Sequence, residues 1–259
     1  MTDNDTKDKF NIKCFLSVLM LYAGASARRL LLIAAGMMIL ETGFFAVSLG
    51  KDAAAISLES AVYSVRIPIL VILALAYAGF CFLLSTALTS KTGKPEYTIR
   101  RLRISGKEVL AAGCIYDVLM FVILYGAQTA AFLLMMWIYA FKFPANMNDL
   151  SAFMACCRVD ILYSFLPMPS SFEWIRNGLK ILALGILASA NSVKARNSGQ
   201  TFTFILPALI EAVIFIRSFT DHVLWIFPSF VVLIFMVYDL LYCSELITEG
   251  MRENEENNK

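Results

Sequence analysis

The chain has 259 residues, 59% of them hydrophobic and 16% charged, and a mean hydropathy of +0.70. A soluble domain is about a quarter charged, so one water-soluble core of this size is excluded and lipid is the better solvent. The net charge of +2 is segregated around apolar segments rather than spread over a polar domain, which argues against nucleic acid as a partner.

The first 29 residues carry Asp3, Asp5 and Asp8, then the apolar run Cys14–Tyr22, then Ala25-Ser26-Ala27 ahead of Arg28-Arg29. A signal peptide with a cleavage site is the superficial reading. It is rejected because the leading region is acidic where a cationic one is needed. Cleavage would also leave Arg28 and Arg29 outside, against the charge bias described below. The apolar run is too short to cross a bilayer, so Phe10–Ala27 is expected as an interfacial helix leading into the first span.

A crossing helix needs about 20 mainly apolar residues. Six stretches qualify in chain order: Leu30–Leu49, Ile67–Leu88, a segment within Val109–Phe141, Ile175–Val193, the shorter Phe202–Ile216, and Val223–Cys243. The third reaches about 50 Å as a helix, against a hydrocarbon core of roughly 30 Å. It is expected as one tilted helix whose first turns lie at the cytoplasmic interface. Between the third and fourth spans, Leu150, Phe153, Met154, Ile161, Leu162 and Phe165 recur at helical spacing, and Pro167 and Pro169 end the pattern. The expectation is an amphipathic helix over Asp149–Phe165 lying on the outer face. The acidic tail Glu249–Lys259 is expected to be disordered. The fold class is all-α: an N-terminal segment 1–29, a six-span body 30–248 and a tail 249–259.

Cations orient this layout. With both termini in the cytoplasm, 15 of the 22 lysines and arginines fall inside and seven outside. The flipped topology inverts that ratio, so the positive-inside rule puts both termini in the cytoplasm of a cell-membrane protein. The largest contribution is the loop between the second and third spans, which carries Lys91, Lys94, Arg100, Arg101, Arg103 and Lys107 against Glu96 and Glu108.

Motifs for catalysis are missing. There is no GxxxxGK[ST], so the chain itself does not hold ATP in a P-loop. No HExxH and no GxSxG is present, and the single histidine, His222, lies in a short loop. No catalytic, cofactor-binding or metal-binding residue is assigned. The six cysteines show no CxxC or Cys/His spacing and read as small apolar side chains.

Carboxylates inside the spans are the next signal, since a charge at the centre of a span costs about 2.5–3.5 kcal/mol on insertion scales. Glu41 and Glu211 fall near the middle of the first and fifth spans, and Asp117 and Asp239 nearer the cytoplasmic ends of the third and sixth. Glu41 and Glu211 lie at similar depths. They either share a site or a proton, or each is a protonated carboxyl bonded to a neighbouring helix. For Asp117 and Asp239 the near interface favours a structural role.

From Tyr97 to Val109, apolar Ile99, Leu102 and Val109 alternate with Arg100, Arg101, Arg103 and Lys107. This is a short basic amphipathic helix, turned near Ser105-Gly106, that feeds the third span. Anchoring to anionic headgroups is one reading, and docking of a cytoplasmic protein is the other. Thr98, Arg101, Leu102, Ile104, Ser105 and Val109 match a stretch of the form T-L-x-R-L-P-[IV]-S-R-x-x-[IL]. The run therefore resembles the loop between the second and third spans of type-2 permease subunits of bacterial ABC exporters. Six spans, an interfacial N-terminal helix and cytoplasmic termini agree with that family. Arg103 stands where the family often has proline. The bulky outer segment lies between spans three and four rather than five and six.

The resemblance implies a coupling helix, Glu96, Ile99, Arg100, Arg101, Leu102, Arg103, Ile104 and Lys107, that docks on a separate ABC-type ATPase subunit. ATP and Mg would be held by that subunit, and this chain would not be an enzyme. A second permease subunit, identical or different, would complete the pore. Cargo would be hydrophobic or amphipathic: a peptide, drug or lipid. The alternatives are a small ion- or proton-coupled secondary transporter using Glu41 and Glu211, or a non-transporting membrane partner protein. No clear repeat relates the two three-span halves, which counts against the secondary transporter.

Overall fold

The computed structural model describes residues 12–50, 57–86, 106–146, 149–168 and 170–198, together with Ile234, Val237 and Leu241. Among the described residues there is no strand. Helix α1 (Ile12–Tyr22) runs without a break through a π turn, Ala23–Ala27, into α2 (Arg28–Ser48). The expected interfacial helix and first span are thus one rod of about 55 Å. A π turn inserts one extra residue into the helical ladder. Here it brings Ser26 to the inner face, 3% exposed.

Ser57 caps α3 (Leu58–Ser64) by accepting from the Ser60 N–H at 3.3 Å. Helix α4 (Arg66–Thr86) follows, with Pro68 in its first turn, where no intrahelical N–H bond is lost. Helix α5 (Gly106–Lys142) is a single 37-residue helix with no proline. It stops where Phe143 and the short turn Pro144–Asn146 begin. The segment expected to be one long tilted helix is therefore unbroken.

Among the described residues three stretches, Phe15–Ser48, Arg66–Leu84 and Glu108–Lys142, are long and apolar enough to cross a membrane. Their outer faces agree with lipid as solvent: Ile39 and Val47 on α2, Ile67 and Leu75 on α4, and Trp137 and Phe141 on α5 are each more than half exposed.

Helices α6 (Asp149–Arg158) and α7 (Asp160–Phe165) replace the single amphipathic helix expected over Asp149–Phe165. Val159 adopts an extended backbone, φ −89° and ψ 113°, and breaks the helix there. The break shifts the apolar face, so Phe153 points outward while Ala155, Cys156, Val159, Ile161, Leu162 and Phe165 are buried.

The segment also does not lie across the end of the bundle. The Phe165 ring sits 5.6 Å from the rings of both Tyr125 and Phe132 on α5. Those residues are about 25 and 15 Å along α5 from its Lys142 end. The chain therefore descends beside α5 and turns at Leu166–Ser170. It then continues as α8 (Ser171–Ser198), antiparallel to α5.

Helix α8 covers the stretch expected as the fourth span, and its buried face mixes polar side chains with Ile181, Leu184 and Leu187. Glu173, Asn177, Lys180, Ser189, Asn191 and Ser192 are buried, whereas Trp174, Ile175, Leu179 and Leu182 are exposed. The spans expected at Phe202–Ile216 and Val223–Cys243, and the tail, lie outside the described residues, apart from helical, exposed Ile234, Val237 and Leu241.

Candidate functional site

Among the described residues α1, α2, α7 and α8 pack on helix α5, while α4 packs on α2 and α8 and reaches α5 through the Tyr77 and Phe80 rings against Phe121. The buried polar side chains of α5 fall at three levels.

At the level nearest Gly106, α1, the π turn and α8 converge. Ser26 Oγ lies 2.7 Å from the Tyr116 hydroxyl and donates to the Tyr22 carbonyl at 3.1 Å. The Tyr22 and Tyr116 rings are 5.7 Å apart. Ser189 of α8 donates to the Leu110 carbonyl at 3.2 Å. Gly113 permits this approach, because a Cβ there would sit 2.7 Å from Ser189 Oγ and 2.9 Å from the Tyr22 hydroxyl. One turn on, Asp117 is 1% exposed and its Oδ2 has no hydrogen-bond partner among the described residues.

At the middle level, the Tyr125 hydroxyl donates to the Phe165 carbonyl at 2.6 Å. Asn177 Nδ2 donates to the Ser164 carbonyl at 2.8 Å and reaches the Tyr125 hydroxyl at 3.4 Å. These bonds satisfy the backbone freed where α7 ends, which is how irregular chain is tolerated at membrane depth. Beside them is an apolar cavity of about 40 Å³ lined by Leu73, Tyr77, Leu124, Gln128, Phe165 and Ile181, among others.

Tyr125→Phe removes the shorter bond and is expected to cost about 1 kcal/mol. Cys156, on the same descending segment, is 2% exposed, and burial pushes its thiol up. Faster maleimide labelling of Cys156 in Tyr125→Phe than in wild type is the expected result. Equal rates would mean that Tyr125 does not hold the segment down.

At the third level, Glu41 on α2 meets Gln128 on α5. Both are fully buried, and Gln128 Nε2 donates to Glu41 Oε2 at 2.7 Å. Glu41 Oε1 and Gln128 Oε1 have no partner among the described residues. Gln128 carries no charge, so charge and hydropathy patterning do not mark it in the sequence. An amide within a long apolar run was the signal available.

Farther along, Lys142 donates to the Leu49 carbonyl, tying the ends of α2 and α5 together. Between α3 and the α6–α7 break is a polar cleft of about 360 Å³, crossed by Arg66–Asp160 and Arg158–Glu59 pairs, each at 3.6 Å. Exposed pairs of this kind contribute at most about 1 kcal/mol each.

The structure separates Glu41 from Asp117, which lie about three turns apart along α5. Glu211 and Asp239 lie outside the described residues, as do Glu96, Ile99, Arg100, Arg101, Leu102, Arg103 and Ile104. Lys107 falls in the first turn of α5. Among the described residues no three His, Cys, Asp or Glu side chains are grouped to hold a metal ion, and Cys81, Cys114, Cys156 and Cys157 are free thiols. The chain matches no family model, no curated protein and no solved structure.

Proposed function

We propose that the chain is the membrane subunit of an ATP-driven exporter. It would work with a separate ABC-type ATPase that holds ATP and Mg, and with a second permease subunit. The observation that carries this reading is the unbroken helix α5. It starts at Gly106, directly after the basic Glu96–Ser105 run, and continues for 37 residues. A push on that run reaches the far end of the bundle through one rigid element, with α1, α2 and α8 packed along it.

In this reading α8 is the fourth span, its buried face turned to the protein and its Trp174–Leu182 face turned to lipid. Phe202–Ile216 and Val223–Cys243 supply the fifth and sixth, and both termini are cytoplasmic. Cargo is hydrophobic or amphipathic. A second reading, proton-coupled transport, is favoured by the buried Glu41–Gln128 pair.

One experiment separates the two. The chain is co-expressed with a candidate ATPase, and its recovery is compared with that of Arg101→Glu and Leu102→Asp. Under the exporter reading both variants lose most of the co-purifying ATPase and ATP-driven transport. Retention of both activities sinks it. Transport that follows an imposed pH gradient with the ATPase absent establishes the second reading instead.

A further inference from the structure

The Glu41–Gln128 contact is short of one hydrogen. A carboxylate has only acceptors, and a carboxamide has one acceptor and an NH₂ donor. The single bond of 2.7 Å uses that donor on Glu41 Oε2. It leaves Glu41 Oε1 and Gln128 Oε1 as two buried acceptors with no donor among the described residues. Unmatched buried acceptors are costly, and more so in an apolar surrounding. No cation pairs with Glu41 or Gln128. On α5 the described charges are Glu108 and Asp117, the nearer about three turns toward Gly106, and Lys142, about four turns the other way. On α2 Arg28 and Arg29 lie more than three turns back. On α8 Arg176 is paired with Glu173, and neither it nor buried Lys180 is bonded to either side chain. Helix α4, which also packs on α2, presents none at this level, its described charge being Arg66 at its start. The α3 carboxylate, Glu59, is engaged with Arg158.

We infer that Glu41 and Gln128 together bind one proton, and that this proton completes the joint between α2 and α5. Taken from hydronium, with water left behind, it converts Glu41 Oε1 from an acceptor into a donor. The acceptor lacking a donor is Gln128 Oε1 on the same partner. Carboxylic acid and carboxamide then match as donor–acceptor and acceptor–donor. With the proton the two helices share two hydrogen bonds, and without it one. The site is a proton-binding site whichever motor drives the protein, so its test is separate from ATPase recruitment.

The test is infrared spectroscopy of the full chain in phosphatidylcholine vesicles at neutral pH, comparing wild type with Glu41→Gln and Gln128→Leu. Glutamine at position 41 supplies a permanent donor and acceptor, so this variant keeps the joint. The expected result is a carboxylic-acid carbonyl band in wild type that is lost in Glu41→Gln and displaced in Gln128→Leu. A wild-type minus Glu41→Gln difference confined to the carboxylate bands overturns the inference. If Glu41→Gln fails to fold, Gln128→Leu decides alone: a displaced acid band supports the site, and an unmoved one overturns it.

Discussion

Gly185→Val is expected to part α8 from α5 and to remove the monodisperse protein from a size-exclusion profile. A Cβ at Gly185 would sit 2.3 Å from Val118 Cγ2, 2.7 Å from Val118 N and 2.8 Å from Val118 Cα. A rotamer change can move the methyl, but the other two atoms are backbone, so one helix must shift as a body. Extra methylenes in a packed interior cost about 1–3 kcal/mol. Gly185→Ala is expected to fall in that range, and valine beyond it. The shift would propagate, because Ala183, Leu184, Leu187 and Ala188 are buried around the same contact.

Gly126→Ala is the control. No atom lies within 4 Å of its added Cβ, and alanine is the better helix former by about 1 kcal/mol. Thermal melts in detergent check the pair: Gly185→Ala should melt well below wild type and Gly126→Ala at or above it. Gly113 should be intermediate, since the atoms it would meet, Ser189 Oγ and the Tyr22 hydroxyl, are side-chain tips. Equal melting of Gly185→Ala and Gly126→Ala would mean that the two helices are not in close contact at Val118.

The helices were legible in the sequence wherever apolar length decides the outcome. Arg66–Leu84 and Glu108–Lys142 follow from long apolar runs bounded by charge, glycine or proline. The unbroken α5 follows from the absence of a breaker over 37 residues. Periodicity could not show that the segment after Lys142 descends beside α5. Its apolar residues have the same spacing whether they face lipid or protein, and the extended Val159 that re-registers them is β-branched but otherwise unmarked.

Of the site, Glu41 and Asp117 were readable as charges in apolar runs, and both are buried. Their partners were not. Gln128 meets Glu41 because α2 and α5 run side by side, and nothing local to either segment encodes that pairing. The buried polar residues of α8, Asn177, Ser189, Asn191 and Ser192, were hidden because apolar residues on both its exposed and its buried face carry the hydropathy signal.

Breaking the Glu41–Gln128 pair from one side should cost more than removing it altogether. Gln128→Leu leaves the Glu41 carboxyl buried without the donor it uses at 2.7 Å, and Glu41→Leu leaves the Gln128 amide likewise stranded. Each single change is expected to destabilise by about 1–3 kcal/mol, the penalty for a buried polar group left unmatched. The bond itself is a minor part, since interhelical hydrogen bonds in membranes average only about 0.6 kcal/mol. The double variant Glu41→Leu/Gln128→Leu replaces both groups by apolar side chains of similar length and should lie near wild type.

A double-mutant cycle from unfolding in detergent therefore shows strong coupling, with the double variant more stable than either single. Additive losses would place the two groups in separate environments and remove the joint. The cycle also bears on why a carboxylate is kept there. If leucine at both positions stabilises the protein or leaves it unchanged, packing does not require Glu41, and the reason for a titratable group between α2 and α5 is the proton it binds.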